Sequence, residues 1–439
     1  MKTLIPLIAA GCFVATALAQ QPDQAALAQS QIDRIAESYV KLVLAVGHHD
    51  PEYVDSYYGP PEWQEQAAAR KVPLDDIRQQ VVRTSKELAA INPSGLDEME
   101  KLRLRFMDKQ LESVKTRIDM LSGVTMTFDK ESAALFDAVA PDYPEAHFRA
   151  RLARADALLP GEGTLRERYE KYRHRFLVPK EKVEAVFRVA VQEARKRTRR
   201  YIQLPQGENI RIEFVSGKPW TAQSRCQGNG QSVIQLNRDV PYTIDELLNL
   251  ACHEGYPGHH LTVLLLDDRL VRKRGWREFS VVPLPSPLLL IMEGTADYAL
   301  ELAFPIAERI NYEREVLCPL AGLDPALANS AAPVFYVTES LSNPWLSEAS
   351  PVAARRYLDG VMGRSKVLEW LKARTLAPQD QLELMAEFIS HYRSYIICYT
   401  VGLDLVKRQI EKEAGADREK QWKVFERLQT PPKPPSELR

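Results

Sequence analysis

The sequence predicts a mainly α-helical protein with a small antiparallel β element near its middle. Three observations carry that expectation. Most of the 439 residues lie in long stretches whose apolar positions recur every three or four residues. Strand-like alternation is confined to residues 209–237, and helix-capping residues open the two stretches richest in chemistry. The chain is 45% hydrophobic and 27% charged with a net charge of −1, as in a soluble globular protein, so neither nucleic acid nor an anionic membrane has an electrostatic reason to bind it.

The first residues, "MKTLIPLIAAGCFVATALAQ", join a basic start at Lys2 to an apolar run ending in Ala17-Leu18-Ala19. That is the pattern of a secretory signal peptide over residues 1–19, and it predicts a periplasmic or secreted mature chain. The run is too short for a membrane anchor, and no later stretch is long and apolar enough to span a bilayer. Lipid attachment at Cys12 is disfavoured, because Ala9 stands where a larger aliphatic residue is usual. Export would allow one or two disulfides among Cys226, Cys252, Cys318 and Cys398, which lack the spacing of a cysteine metal site.

Residues 24–48 place Ile32, Ile35, Ala36, Val40 and Val43 at helical spacing. A turn-rich break, "DSYYGPPEW" (55–63), follows. Helical spacing resumes over 74–92 and 96–121, and continues with more breaks over 131–158 and 162–177. Residues 179–203 read as a strongly charged helix whose basic run Arg195–Arg200 is a solvated face. "NIRIEFVSG" (209–217) and "GNGQSVIQLN" (228–237) then alternate apolar and polar residues, and pair most simply as two antiparallel strands. Helices return to about residue 427, and the proline-rich tail 430–439 is expected to be disordered or extended. With no repeat and no clear linker, residues 20–429 read as one unit, its functional core at about 205–405.

"PYTIDELLNLACHEGYPGHH" carries the first chemistry. Thr243 and Glu246 have the spacing of a capping box, so a helix should start near Ile244. His253 and Glu254 fall in its last turns, and Pro257-Gly258 must bulge or break it. Zinc hydrolases usually place a second histidine one turn after the first, where Pro257 stands. If two residues loop out, His259 returns to that place. His260 is the rival ligand, on the same face as His253 but about 10 Å along a straight helix axis. Three of the eight histidines lie within "HEGYPGHH" (253–260), beside a glutamate.

The third ligand is sought in "SPLLLIMEGTADYALEL" (286–302). Ser286-Pro287 reads as an N-cap and first helical residue. Glu293, Asp297 and Glu301 repeat at every fourth position, and Glu293 directly after "LLLIM" would be a buried carboxylate in need of a partner. A Zn2+ ion held by two histidines and Glu293 would keep one position for water and lower that water's pKa toward about 7. Asp297 could accept the ring N–H of a ligating histidine, and Glu254 could serve as general base.

"HEGYPGHH" with "EGTADYALEL" resembles the bacterial domain-of-unknown-function 885 family, whose signature is His-Glu-x-x-Pro-Gly-His-His with a later Glu-Gly-Trp-Ala-x-Tyr-x-Glu. That family is grouped with gluzincin-type metallopeptidases, and "DPEYVDSYYGPPEW" also looks like segments of some members. The resemblance implies a gluzincin-like architecture, His253, His259 and Glu293 as zinc ligands, Glu254 as base, and Asp297 at the spacing of a ligand-steadying acid. Thr295 stands where the family has tryptophan, and "SYIICYTVG" keeps Tyr399 and Gly402 without the family's Pro-Gly-Gln.

The densest supply of further polar groups is "ISHYRSYIICYTVG" (389–402), where Tyr392, Tyr395 and Tyr399 have the spacing of one helix face. The resemblance points to Tyr399 as the donor to a tetrahedral oxyanion, while Arg393 could meet a substrate carboxylate or an acidic neighbour. Tyr395, His260 and Asn237 are further candidate substrate groups, Asn237 because "SVIQLN" could present its backbone to an extended peptide. The expected function is an exported zinc metallopeptidase acting on a peptide or other small amide. The alternatives are a zinc hydrolase of a non-peptide amide or ester, and a non-catalytic binding protein that keeps the fold.

Overall fold

The computed structural model describes residues 24–218 and 220–438. The expected signal peptide 1–19, with Cys12, lies outside the described residues. Helix α1 (Gln24–Gly47) buries Ile32, Ile35, Ala36, Tyr39, Val40 and Val43, the face its spacing predicts. A short strand β1 (Val54–Tyr57) and helix α2 (Pro61–Arg70) follow. Helices α3 (Leu74–Ala89) and α4 (Glu98–Leu121) complete an N-terminal helical layer with its own apolar core. Arg103 on α4 ties this layer to the rest through a buried two-pronged bond to Glu278, at 2.5 and 2.9 Å.

Helices α5 (Phe128–Phe136), α6 (Glu145–Leu158), α7 (Leu165–His174) and α8 (Val183–Thr198) lead to the sheet. Strands β2 (Asn209–Val215), β3 (Ala222–Gly228) and β4 (Gln231–Asn237) take the order β2-β4-β3. Here the structure corrects the strand pairing. β2 runs parallel to β4, and the antiparallel partner of β4 is β3. β3 reads "AQSRCQG", too polar to show strand alternation, yet the Gly228 and Gly230 positive-φ turn folds it back onto β4. The central place of β4 also removes the proposed peptide-docking role of "SVIQLN", because both of its edges are already hydrogen-bonded.

The motif begins with α9 (Ile244–Leu250), capped by Thr243 and Glu246 as the spacing predicts. Helix α10 (His259–Leu265) comes next, followed by β5 (Val281–Pro283), which pairs antiparallel with β1. Helix α11 (Pro287–Ala303) starts at the Ser286 cap. Helices α12 (Ile306–Tyr312), α13 (Cys318–Ala321), α14 (Ala328–Ser342), α15 (Ala349–Leu358), α16 (Arg364–Lys372) and α17 (Gln379–Tyr392) wrap the core. Helix α18 (Ile397–Ala414) crosses α11, and α19 (Arg418–Gln429) closes the fold. The crossing of α11 and α18 is very close: a Cβ on Gly294 would lie 2.3 Å from the Gly402 carbonyl. Two glycines therefore set how near α18 and the turn leading into it bring Tyr399 and Tyr395 to Glu293.

The tail is packed, contrary to the expectation of disorder. Pro431, Pro432, Pro434, Pro435 and Leu438 are buried, and Glu437 pairs with Arg105 at 2.7 Å. Proline's stiffness suits it to a fixed, hydrogen-bond-poor path over an apolar surface. Cys226, Cys252, Cys318 and Cys398 are all free, so the core carries the fold without the disulfides that export would permit. No described helix is long and apolar enough to cross a membrane.

Behind the motif, buried Arg309 on α12 holds Asp245 of α9 at 2.6 Å and Glu313 at 2.8 Å. Burial, with Asp245 adding to it against Arg309, pushes Glu313 up to about 8. Glu313 thus stays protonated in the fold at pH values where the unfolded chain has lost that proton. The cost to stability grows from about pH 4.5 to about pH 8 and then levels off. Glu313→Gln is expected to remove it. The Tm difference between variant and wild type should widen with pH over that window, and a constant difference would refute the assignment.

Candidate metal centre

The wall of the site is built by one irregular stretch. After α9 the helix widens over Ala251–Gly255, Tyr256 turns extended, and α10 restarts at His259. Gly258 permits this through close approach rather than through an unusual φ. A Cβ there would sit 1.9 Å from the His253 carbonyl oxygen and 2.5 Å from that of Cys252. The Gly258 N–H instead donates to the Cys252 carbonyl at 3.0 Å, closing the loop.

His253, His259 and Glu293 meet here. The two Nε2 atoms are 3.1 Å apart, and Glu293 Oε2 lies 3.6 Å from His253 Nε2 and 3.5 Å from His259 Nε2. Donors at about 2.0–2.1 Å from a tetrahedral ion stand about 3.4 Å from one another. The three spacings therefore match an ion held between them. Glu293 Oε2 is buried and has no hydrogen-bond partner, an orphan aimed at the same point. These three residues could hold a metal ion.

The surrounding groups orient the donors. Asp297 Oδ1 lies 3.0 Å from His253 Nδ1, which leaves Nε2 facing Glu293. Burial opposes charge on His253, yet the Asp297 hydrogen bond and charge, with Glu254 and Glu293, lift its pKa to about 10. Burial also opposes charge on His259, and Glu293 outweighs it, so that pKa too is raised. A metal ion must displace these protons to bind. Tyr395 donates to Glu293 Oε1 at 2.8 Å, which fixes the carboxylate and leaves Oε2 for the metal. Glu254 is 6% exposed and makes no hydrogen bond or ion pair with the described residues, while its charge acts on both His253 and His259.

Other sequence candidates take different places. His260 is not at the centre. Its Nδ1 meets Ser232 Oγ at 2.7 Å and its Nε2 meets Glu208 Oε2 at 3.3 Å, both away from the donors. Ser232, His260 and Glu208 follow the order of a nucleophile relay, but all three are buried, and Glu208 is also bonded to Tyr256 and Arg195. They brace the loop from behind. Burial works to raise Glu208, but the bonds from His260, Tyr256 and Arg195 hold it down at about 2. One of the basic residues expected on a solvated face, Arg195, thus serves this buried carboxylate.

Arg393 is bound to buried Glu131 at 2.8 Å and is not a free substrate group. It also has φ 55°, so the chain breaks after Tyr392 and the three tyrosines do not share one helix. Their rings nonetheless gather around Phe388, at centroid distances of 4.9, 5.7 and 6.2 Å for Tyr392, Tyr395 and Tyr399. Tyr395 is a support for Glu293 rather than a substrate contact. Tyr399 packs edge-on against Tyr395 at 5.7 Å, and burial with the Glu293 charge raises its pKa so that it stays a neutral donor. Asn237 is spent on the loop before β3, donating to the carbonyls of Lys218 and Trp220 at 2.9 and 3.0 Å.

Sequence reading missed Glu208 and Asp55. Glu208 follows a helix and precedes a strand with no local signal of its partners. Asp55 lies inside the quoted "DSYYGPPEW", but nothing in that stretch tells that its charge acts on His259 and Glu293 some 200 residues later.

No family model matches the chain, and no curated protein matches it. Solved structures do show a distant likeness. A lipoprotein candidate from Colwellia psychrerythraea has 14% identity over 92% of this chain and 76% of that one, with a TM-score of 0.46. A carboxypeptidase from Pyrococcus furiosus has 13% identity over 95% of each chain, with a TM-score of 0.45. An M32 carboxypeptidase from Deinococcus radiodurans has 12% identity over 93% and 91%, with a TM-score of 0.38. With TM-scores below 0.5 the likeness says nothing of what this chain does, and its function is read from the site.

Proposed function

We propose that this protein is an exported zinc-dependent metallopeptidase of the gluzincin type, akin to the domain-of-unknown-function 885 family that its motifs resemble. The observation that supports it most is the convergence of His253, His259 and orphaned Glu293 Oε2, with Asp297 behind His253. When bound, zinc supplies Lewis acidity that polarises a carbonyl and makes water acidic enough to lose a proton near neutral pH. Glu254 would act as general base, its carboxylate taking a proton from water and passing it to the departing amine nitrogen. Asp297 holds the proton on His253 Nδ1, so that Nε2 stays free to donate its lone pair. Tyr395 holds Glu293 by Oε1, and Tyr399, kept neutral, donates to the developing oxyanion.

Elemental analysis of the purified mature chain tests the centre. About one zinc per chain is expected, lost in His259→Ala and retained in His260→Gln, which can keep a bond to Ser232 or Glu208. Zinc lost only with the His260 change would overturn the ligand assignment. No zinc in the wild type after zinc is supplied would favour a binding protein that keeps the fold.

A further inference from the structure

The motif and its supports leave one charged residue beside the centre unused. Asp55 lies on β1, at a break in the β1–β5 register: Val54 faces Pro283 and Ser56 faces Val282, so Asp55 is an extra residue without an opposite number. Such a bulge turns a side chain out of the sheet's alternation. Here the exposed carboxylate lies within electrostatic reach of the metal donors, since the charges acting on Asp55 are those of His259, Glu293, Glu254 and Arg225. Asp55 makes no hydrogen bond or ion pair within the described residues, and it stands outside the group that could hold the metal. β1 packs beside edge strand β3, which in turn packs on the Ala251–Gly255 turn, so the bulge carrying Asp55 lies on the strand layer beside the centre.

The Asp55 carboxylate has no bonded partner, and Glu293 and Glu254 repel its charge against the attraction of His259 and Arg225. A cation brought by a ligand would relieve it.

We propose that Asp55 is a specificity-determining residue that takes an ammonium group of the substrate, so that the site prefers short peptides with a cationic nitrogen close to the scissile bond. The identity of the ligand as a peptide rests on the metallopeptidase reading, but the charge preference does not. An α-ammonium group and a lysine side chain offer the same chemistry, and peptide design separates them.

The experiment measures binding by calorimetry to zinc-loaded Glu254→Gln protein, with and without Asp55→Asn. The probes are trialanine, N-acetyl-trialanine and N-acetyl-Lys-Ala-Ala. Trialanine is expected to bind about tenfold more tightly than its acetylated form, the order of a charge-assisted hydrogen bond. Asp55→Asn should erase that difference and leave zinc content unchanged. A gain confined to the lysine peptide and lost with Asp55→Asn would support the same ammonium site with a side chain as its source. Equal binding of all three, or a preference that survives Asp55→Asn, would overturn the proposal. Failure of the wild type to cleave any peptide would count against the peptidase reading alone, because the binding comparison does not depend on turnover.

Discussion

Gly258→Ala is expected to cost the protein its metal while leaving most of its helices intact. The added methyl would lie 1.9 Å from the His253 carbonyl oxygen, far inside contact distance, and both obstructing atoms are backbone. Rotating a side chain cannot relieve such a clash, so the loop from Gly255 to His259 must move. That loop sets the 3.1 Å spacing between the two histidine Nε2 atoms and places His259 beside Glu293. Zinc affinity should fall by about a hundredfold or more, since even ligand-supporting residues are worth about 10- to 100-fold. Far-UV circular dichroism should change little, and competition with a chromophoric chelator would measure the loss. Wild-type affinity in Gly258→Ala would mean that the loop does not hold the ligand.

The second large effect is Glu254→Gln. Glutamine keeps the shape of Glu254 but cannot accept the water's proton, so peptide hydrolysis should fall by between about 10²- and 10⁴-fold. Zinc should remain, because Glu254 is not among the three converging donors. The pairing of outcomes matters: activity lost with metal retained supports a base, whereas both lost would make Glu254 part of the metal's support. Activity retained would exclude the proposed mechanism. The same variant serves as the inactive, zinc-loaded protein for measuring how Asp55 affects ligand binding.

The two glycine contacts show how far local reading reaches. Pro257-Gly258 was legible as a break, and the break was enough to favour His259 over a regular-helix position. The reason for glycine was not legible: it is the approach of two carbonyls, not conformational freedom at φ. Likewise "YTVG" shows Tyr399 and Gly402, but not that Gly402 meets Gly294 and so lets the turn leading into α18 bring Tyr395 onto Glu293.

By itself the sequence determined the helical character, the capped starts at Thr243 and Ser286, and the set of side chains from which the centre is drawn. These rest on spacings within a turn or two and on the intrinsic preferences of individual residues, which any stretch of chain carries with it. Only the tertiary structure decided that His260 faces Ser232 and Glu208, that Arg393 belongs to Glu131, and that β2 lies parallel to β4. It also brought Asp55, about 200 positions earlier in the chain, within electrostatic reach of His259 and Glu293. Such pairings join residues dozens to hundreds of positions apart, and their energy comes from burial and charge complementarity that exist only after the segments have packed.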